Sequence, residues 1–140
     1  MKILISESLL RESPKILSQP MSQSQMASKY PNFNYNISRG ILMSLPVAII
    51  TGLDPTPADW VDDSGENREF TKGNRIPQDK PIEVMFDWNG EDPNDPNSYD
   101  FTLYDGNHRI TQAKVNGDSH ILALVDPNGN YGKLLKFYGR

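Results

Sequence analysis

The sequence predicts a single α+β domain in which a small mixed β-sheet is flanked by helices. Its 140 residues suit one domain with its own hydrophobic core and are too few for two comfortable ones. Apolar runs with strand character stand at residues 81–88, 99–104 and 120–125, and a segment of helix formers at 107–116 separates the last two. We therefore expect one domain over residues 1–140.

The first half of the chain carries the weaker secondary-structure signals. Residues 2–5 are typical of a short strand, and 7–11 of one helical turn. The polar stretch 18–29 fits either a weak helix or an arm lying on the surface. Residues 38–43 are expected to be helical, and 46–50 have the β-branched, apolar character of a buried strand.

The second half begins with a long segment, residues 54–80, whose proline, glycine, asparagine and charged residues predict loops. The elements expected after it are strands at 81–88 and 99–104, a helix at 107–116, and strands at 120–125 and 133–138. The first two strands should pair as a hairpin with an acidic, turn-rich tip. The helix should end at Asn116-Gly117, because glycine favours the backbone conformation that closes a helix.

The composition argues against several functional classes. The net charge of −4 shows no excess of Lys and Arg for a nucleic-acid or anionic membrane surface, and the lack of cysteine excludes disulfides and thiolate chemistry. The N-terminal apolar run stops at Glu7, so it does not form a signal peptide. The apolar run 41–53 is interrupted and shorter than the roughly 20 residues that span a bilayer. We expect an intracellular, cytoplasmic protein without a membrane partner.

The stretch Asp105-Gly106-Asn107-His108-Arg109, between a strand and a helix, is the strongest functional signal. A helix start leaves about four backbone N–H groups unpaired and attracts phosphate. Gly106 lets the backbone approach a ligand, Arg109 can bind phosphate oxygens through two hydrogen bonds, and His108 can donate another. The alternative is that Asp105 or Asn107 caps the helix and Arg109 pairs with Asp105. The spacing leaves both interpretations open.

The wider pattern resembles the signature of the ParB and sulfiredoxin superfamily. The resemblance is carried by the Asp-Gly-Asn-His-Arg turn after a strand, by Ala113, Lys114 and Gly117 in the following helix, and by the Ile-Leu-Ala-Leu-Val strand after it. Upstream, Pro81-Ile82-Glu83-Val84 is similar to the strand that precedes the motif in sulfiredoxins and related free-serine kinases. The match covers residues 80–125, and the chain before it does not align.

This resemblance implies a ParB/sulfiredoxin-like fold that binds the phosphates of a nucleotide such as ATP, ADP or CTP, with Mg²⁺ as a candidate cofactor. The implied phosphate contacts are Gly106, Asn107, His108 and Arg109, with Asp105 beside them. Glu83 is implied as a general base, a magnesium ligand or the partner of Arg109, and Glu83 and His108 are the candidate catalytic residues. A plain ion pair of Glu83 remains an open alternative, and pairing would make it a poorer base.

Three departures from the superfamily pattern limit what the resemblance implies. Asn107 stands where sulfiredoxins keep their catalytic cysteine, which excludes sulfinic-acid reduction. Gln112 replaces one of two small residues after the arginine, although Ala113 is kept. Only about fifteen residues follow Val125, which argues against the DNA-binding domain of chromosome-partitioning ParB proteins, because a helix-turn-helix domain is far longer.

Other candidate residues carry weaker signals. Trp88, at the end of the strand that carries Glu83, is a better candidate than Trp60 for stacking on a nucleobase. The acidic clusters at 59–69 and 91–95 match no calcium-binding spacing, so solvated loops are the simpler interpretation and no metal site is assigned. His120 is most simply a packing or hydrogen-bonding residue.

Three functions follow from these signals. The leading one is binding of a nucleotide, with phosphoryl transfer or nucleotide hydrolysis as the chemistry if the protein is an enzyme. The second is a ParB-like nuclease or nucleic-acid binder, which the acidic composition does not favour. The third is a non-catalytic interaction protein that keeps the fold and contacts a protein partner through its N-terminal segment.

Overall fold

The computed structural model describes residues 13–30, 36–52 and 81–139. Within these ranges seven β-strands form one mixed sheet, and three α-helices accompany it. The predicted α+β class is therefore confirmed. The expectations that fall outside the described residues are the strand at 2–5, the helical turn at 7–11, the loop region 54–80, Trp60 and the acidic cluster at 59–69.

The strands are β1 (Lys15–Ile16), β2 (Met21–Ser22), β3 (Arg39–Pro46), β4 (Ile50–Thr51), β5 (Ile82–Trp88), β6 (Tyr99–Asp105) and β7 (His120–Asp126). The helices are α1 (Gln23–Lys29), α2 (Asn107–Asn116) and α3 (Tyr131–Tyr138), and short 3₁₀ turns lie at Val47–Ile49 and Pro96–Ser98. The predicted strands at 81–88, 99–104 and 120–125 and the predicted helix at 107–116 are thus confirmed. None of the helices in the described ranges has the length and apolar character needed to cross a membrane.

Strand β5 lies near the middle of the sheet, whose order is β1-β3-β7-β5-β6-β4 with β2 also pairing with β3. It pairs antiparallel with β6, as the predicted hairpin requires, and parallel with β7. Since β6 and β7 flank β5, the connection through α2 crosses over β5, and α2 packs on β5 and β7. This crossover brings the turn before α2 to the beginning of β5.

The two faces of the sheet are covered by different parts of the chain. Ile82, Val84 and Phe86 of β5 belong to the main core, together with buried residues of α2 and α3. A smaller cluster on the other face contains Met26, Tyr30, Ile37 and Leu124. Because side chains alternate along a strand, Glu83 points to the face of the smaller cluster.

Helix α1 settles the open interpretation of residues 18–29. The Ser22 hydroxyl accepts a hydrogen bond from the Gln25 N–H (3.3 Å), and the Gln25 side chain accepts one from the Ser22 N–H (2.8 Å). This reciprocal pair is a capping box, which satisfies two backbone donors at the helix start. Met26 docks the helix on β3 above Gly40, where an added Cβ would lie 2.5 Å from the Met26 sulfur.

The predictions for residues 38–50 are wrong. The helix expected at 38–43 is strand β3, and the strand expected at 46–50 is a 3₁₀ turn followed by the two residues of β4. Strand β3 carries apolar side chains on both faces, so its apolar residues follow no clear period. Its pairing with β7, from Ile41 opposite Val125 to Pro46 opposite His120, outweighs the helix propensity of its two leucines and its methionine.

The final strand predicted at 133–138 is also wrong, because Tyr131–Tyr138 is helix α3. Leu134 is buried in the main core, and Phe137 and Tyr138 lie one turn further along on the same side. Phe137 contacts Tyr99 with ring centroids 5.4 Å apart, and Tyr138 contacts Phe101 at 5.9 Å. The spacing of three and four residues matches a helical face.

Candidate functional site

The turn before α2 is built around Gly106, which lies between the end of β6 and the first residue of the helix. Its φ is +122°, a conformation that residues with a side chain rarely adopt. A Cβ at this position would lie 2.5 Å from Cγ2 and 2.8 Å from Cβ of Ile82. Ile110 N–H donates to the Gly106 carbonyl at 3.0 Å and begins the helix. Glycine therefore permits both the backbone angle and the close approach of the turn to β5.

Among the residues that the structure describes, no side chain caps the start of α2. Gly106 itself occupies the capping position, and no side-chain hydrogen bond is made there. Neither Asp105 nor Asn107 therefore occupies the capping position that the alternative interpretation gave them. Asn107, His108 and Arg109 form the first turn, and all three are partly exposed.

The side chains of Asn107 and His108 are turned partly inward. Oδ1 of Asn107 and Nε2 of His108 are buried from solvent. A ligand above the helix start would consequently not reach Nε2 of His108. This orientation limits His108 as a proton donor or acceptor, because proton transfer needs direct hydrogen-bond reach.

Arg109 fastens the start of α2 to the beginning of β5. One terminal nitrogen donates to the Pro81 carbonyl at 2.9 Å, and the other lies 3.8 Å from the Asp105 carboxylate. The arginine side chain is 18% exposed and the aspartate side chain 53% exposed. The pairing with Asp105 that the alternative interpretation included is therefore present. Because Asp105 is solvent-exposed, this ion pair contributes little to stability.

Glu83 is fully buried although it carries a carboxylate. It stands directly opposite Asp105 in the β5–β6 pair, next to an irregularity where the register shifts. Its Oε1 accepts hydrogen bonds from the backbone N–H groups of Asn36 (2.8 Å) and Ile37 (3.4 Å). Its Oε2 is also buried and accepts no hydrogen bond from the part of the chain that the structure describes.

Burial raises the pKa of Glu83 above the ordinary glutamate value. The loss of solvation is the largest cause, and the negative charge of Asp105 acts in the same direction. The N–H donors of Asn36 and Ile37 and the charge of Arg109 lower the pKa, but together they do not offset burial. Of the two alternatives left open for Glu83, a plain ion pair with Arg109 is therefore not the one that dominates its protonation.

Trp88 does not join this group. It lies five residues along β5 from Glu83, about 17 Å at the usual rise of a strand. There it pairs with Tyr99, at the end of the hairpin opposite the turn that contains Gly106. Its indole N–H donates to the Glu91 carbonyl at 2.8 Å, and the side chain is 48% exposed.

The described residues contain no group of three or more His, Asp or Glu side chains placed to hold a metal ion. At the hairpin tip, Asp92 and Asp95 accept hydrogen bonds from the N–H groups of Asn94 and Asn97. These carboxylates organise turns. The exposed Asp105 is the carboxylate beside the α2 turn, and Mg²⁺ commonly binds one or two carboxylates together with phosphate oxygens and water.

Sequence reasoning missed the partners that hold this site together, because they are backbone groups. Asn36 and Ile37 contribute their N–H groups to Glu83, and Pro81 contributes its carbonyl to Arg109. Backbone donors and acceptors exist at nearly every residue, so no residue type marks these positions.

Comparisons with protein-family models, with curated proteins and with solved structures found no match to this chain.

Proposed function

We propose that the turn 105–109 and the first turn of α2 bind the phosphate groups of a nucleotide. The observation that carries the proposal is the geometry of Gly106, which occupies the capping position of a ten-residue helix and has no side chain of its own to cap it. A helix start of this kind directs N–H groups and a partial positive charge outward, and both favour an anion. Arg109, in the same turn, adds a full positive charge.

The resemblance of residues 80–125 to the ParB and sulfiredoxin superfamily supports this ligand and suggests the corresponding fold. ATP, ADP and CTP are the nucleotides to test. In this proposal Gly106, Asn107, His108 and Arg109 contact phosphate, and Asp105 stands beside them. Trp88 is too far along β5 to stack on the base of a nucleotide whose phosphates lie at the turn.

The charge balance around Arg109 makes Mg²⁺ a suitable companion of the ligand. Asp105 lies 3.8 Å from the arginine and competes with phosphate for it. Mg²⁺ would neutralise the phosphates, and Asp105 is the described carboxylate that could hold it on the protein side. We therefore expect binding to be stronger with Mg²⁺ than without it.

We propose binding rather than catalysis as the function of this arrangement. A general base must come within hydrogen-bond reach of the proton it removes. Glu83 has the raised pKa that suits a base, but its carboxylate is buried beneath the sheet surface and bonded to backbone N–H groups. Phosphoryl transfer or nucleotide hydrolysis through Glu83 would require this carboxylate to be uncovered.

The test is a thermal-shift series with ATP, ADP, CTP and GTP, each with and without Mg²⁺. A ligand at 100 times its Kd stabilises the folded state by about 2.7 kcal/mol, which is about 5–10 °C for a domain of this size. Arg109→Ala should abolish the shift. Arg39→Ala is the matched control, because Arg39 is an exposed arginine on β3. Equal shifts in both variants and the wild type would refute the proposal.

A second candidate function, a non-catalytic interaction protein, is favoured by a different observation. Arg109 already donates to the Pro81 carbonyl, and Glu83 already accepts from Asn36 and Ile37, so both residues have structural partners. This candidate predicts no shift with any nucleotide and a loss of stability in Arg109→Ala. A salt-sensitive affinity for DNA or RNA would instead support the nuclease or nucleic-acid-binding alternative.

A further inference from the structure

We infer that Glu83 is a positioning residue that couples the α1 side of the sheet to the turn 105–109 through its buried carboxylate. The inference deepens the proposed function, since it names the residue through which the turn and a second part of the chain influence each other. The coupling is present in the ligand-free protein, and a bound nucleotide would act through it.

On one side, Glu83 is bonded to the segment that holds α1. Its Oε1 accepts from the N–H groups of Asn36 and Ile37. Ile37 is buried with Met26 of α1, and its carbonyl accepts a hydrogen bond from the Gln23 side chain at 3.0 Å. The position of α1 is thus tied to the glutamate by two successive contacts.

On the other side, Glu83 faces the turn. Asp105 is its direct neighbour across the β5–β6 pair, and residues in that relation have Cβ atoms about 4.5–5.5 Å apart. The charges of both Asp105 and Arg109 act on its carboxylate. They are the charged groups among the described residues that act on Glu83, since its neighbour on β7 is the apolar Leu124.

The coupling between the α1 side of the sheet and the turn 105–109 is strong because Glu83 is buried. A carboxylate removed from water is costly unless its oxygens are bonded, so the N–H groups of Asn36 and Ile37 must stay in place while Glu83 is ionised. A change of charge at the turn changes how strongly the carboxylate holds those groups. An anion that binds Arg109 would therefore change the hydrogen bonds that the N–H groups of residues 36 and 37 donate to Glu83.

The test is amide hydrogen exchange and NMR on the ligand-free protein. In Glu83→Ala, we expect the N–H groups of Asn36 and Ile37 to exchange at least tenfold faster relative to the amides of β7, and the resonances of 107–110 to move. The comparison with β7 removes the effect of a general loss of stability. Glu83→Gln keeps an acceptor oxygen and should restore most of the protection.

Asp87→Asn is the matched control. Asp87 lies on the same strand and the same face, and its carboxylate accepts from the Asn128 side chain instead. It should leave the exchange of Asn36 and Ile37 unchanged. Relative exchange rates in Glu83→Ala that equal those of the wild type would overturn the inference, as would equal effects of Asp87→Asn.

A pH titration of the wild type keeps the inference testable if Glu83→Ala does not fold. The carbon resonance of the Glu83 carboxyl, the amides of Asn36 and Ile37 and the side-chain resonance of Arg109 should share one midpoint. A common midpoint that disappears in Glu83→Gln supports coupling. Independent midpoints on the two sides, or none, contradict it.

A nucleotide titration separates this inference from the proposed function. With ATP and Mg²⁺, the wild type should show shifts at 107–109 and also at 36–37, whereas Glu83→Gln should lose the shifts at 36–37. Shifts at 107–109 alone in the wild type would overturn the coupling. If ATP does not bind, the proposed function is wrong, and the ligand-free measurements still decide the role of Glu83.

Discussion

The substitution Gly106→Ala tests the geometry on which the candidate site depends. Two costs add at this position. The backbone angle of +122° strains any residue with a side chain by about 1–3 kcal/mol. The new Cβ would lie 2.5 Å from Cγ2 of Ile82, and forcing a methyl group into a packed site costs about another 1–3 kcal/mol.

The control for Gly106→Ala is Gly90→Ala, which separates the two costs. Gly90 also has a positive φ, +92°, but an added Cβ there has nothing within 4 Å. Urea unfolding should therefore show a loss of about 1–3 kcal/mol in the free energy of unfolding for Gly90→Ala, from the backbone angle alone. Gly106→Ala should lose about 2–6 kcal/mol, since the contact with Ile82 is added.

Several outcomes decide this prediction. Equal losses of unfolding free energy in the two variants would mean that Ile82 does not constrain the turn. They would contradict the close approach of the turn to β5. A larger loss in Gly106→Ala, together with a weaker response to nucleotide, would support the turn as the place where the ligand lies. A loss of about 2–6 kcal/mol is a large part of the free energy of unfolding, which is typically about 5–15 kcal/mol for a native protein. The unfolding of Gly106→Ala should therefore be measured at low temperature.

Three further predictions concern the capping box, the buried glutamate and the distant tryptophan. Ser22→Ala should lower the free energy of unfolding by about 0.5–2 kcal/mol in urea, because it removes the cap of α1, whereas Ser28→Ala, at an exposed position of the same helix, should change it little. Because the pKa of Glu83 is raised, the folded state keeps the proton of this carboxyl to higher pH than the unfolded state does. The stability that Glu83 contributes is therefore present below the ordinary glutamate pKa and is lost as the pH rises through the raised pKa of the folded state. Urea unfolding across pH should show this loss in the wild type and not in Glu83→Gln, and parallel curves would contradict it. Trp88→Leu should leave the nucleotide-induced thermal shift unchanged. A loss of this thermal shift in the variant would place the base at the far end of β5.

The segment from 81 to 126 could be predicted well because its signals are local. Strands β5 and β6 are separated by a proline- and asparagine-rich turn, and α2 ends at Gly117, whose φ of +77° is the left-handed closing conformation that the sequence predicted. Each of these elements begins and ends at residues whose backbone preferences are strong. The order strand, turn, helix, strand was therefore readable without knowledge of the packing.

Elements whose identity depends on distant partners were predicted wrongly. Strand β3 is recognisable only when β7, about 80 residues later in the chain, is placed beside it, because long-range pairing overrides local propensity. Helix α3 depends on Tyr99 and Phe101 of β6, against which Phe137 and Tyr138 pack. In both cases a short apolar run was compatible with a strand and with a helix, and only the available partner decided between them.

By itself, the sequence determined the α+β class, the order of elements from β5 to β7 and the glycine turn that starts α2, because each depends on neighbouring residues. Tertiary structure alone decided what the site residues contact. It placed Trp88 at the far end of β5, turned Arg109 towards the Pro81 carbonyl and buried Glu83 against Asn36 and Ile37. The physical reason is that these partners are backbone groups brought together by the sheet, and burial, which sets the protonation of Glu83, depends on the packing of the whole domain.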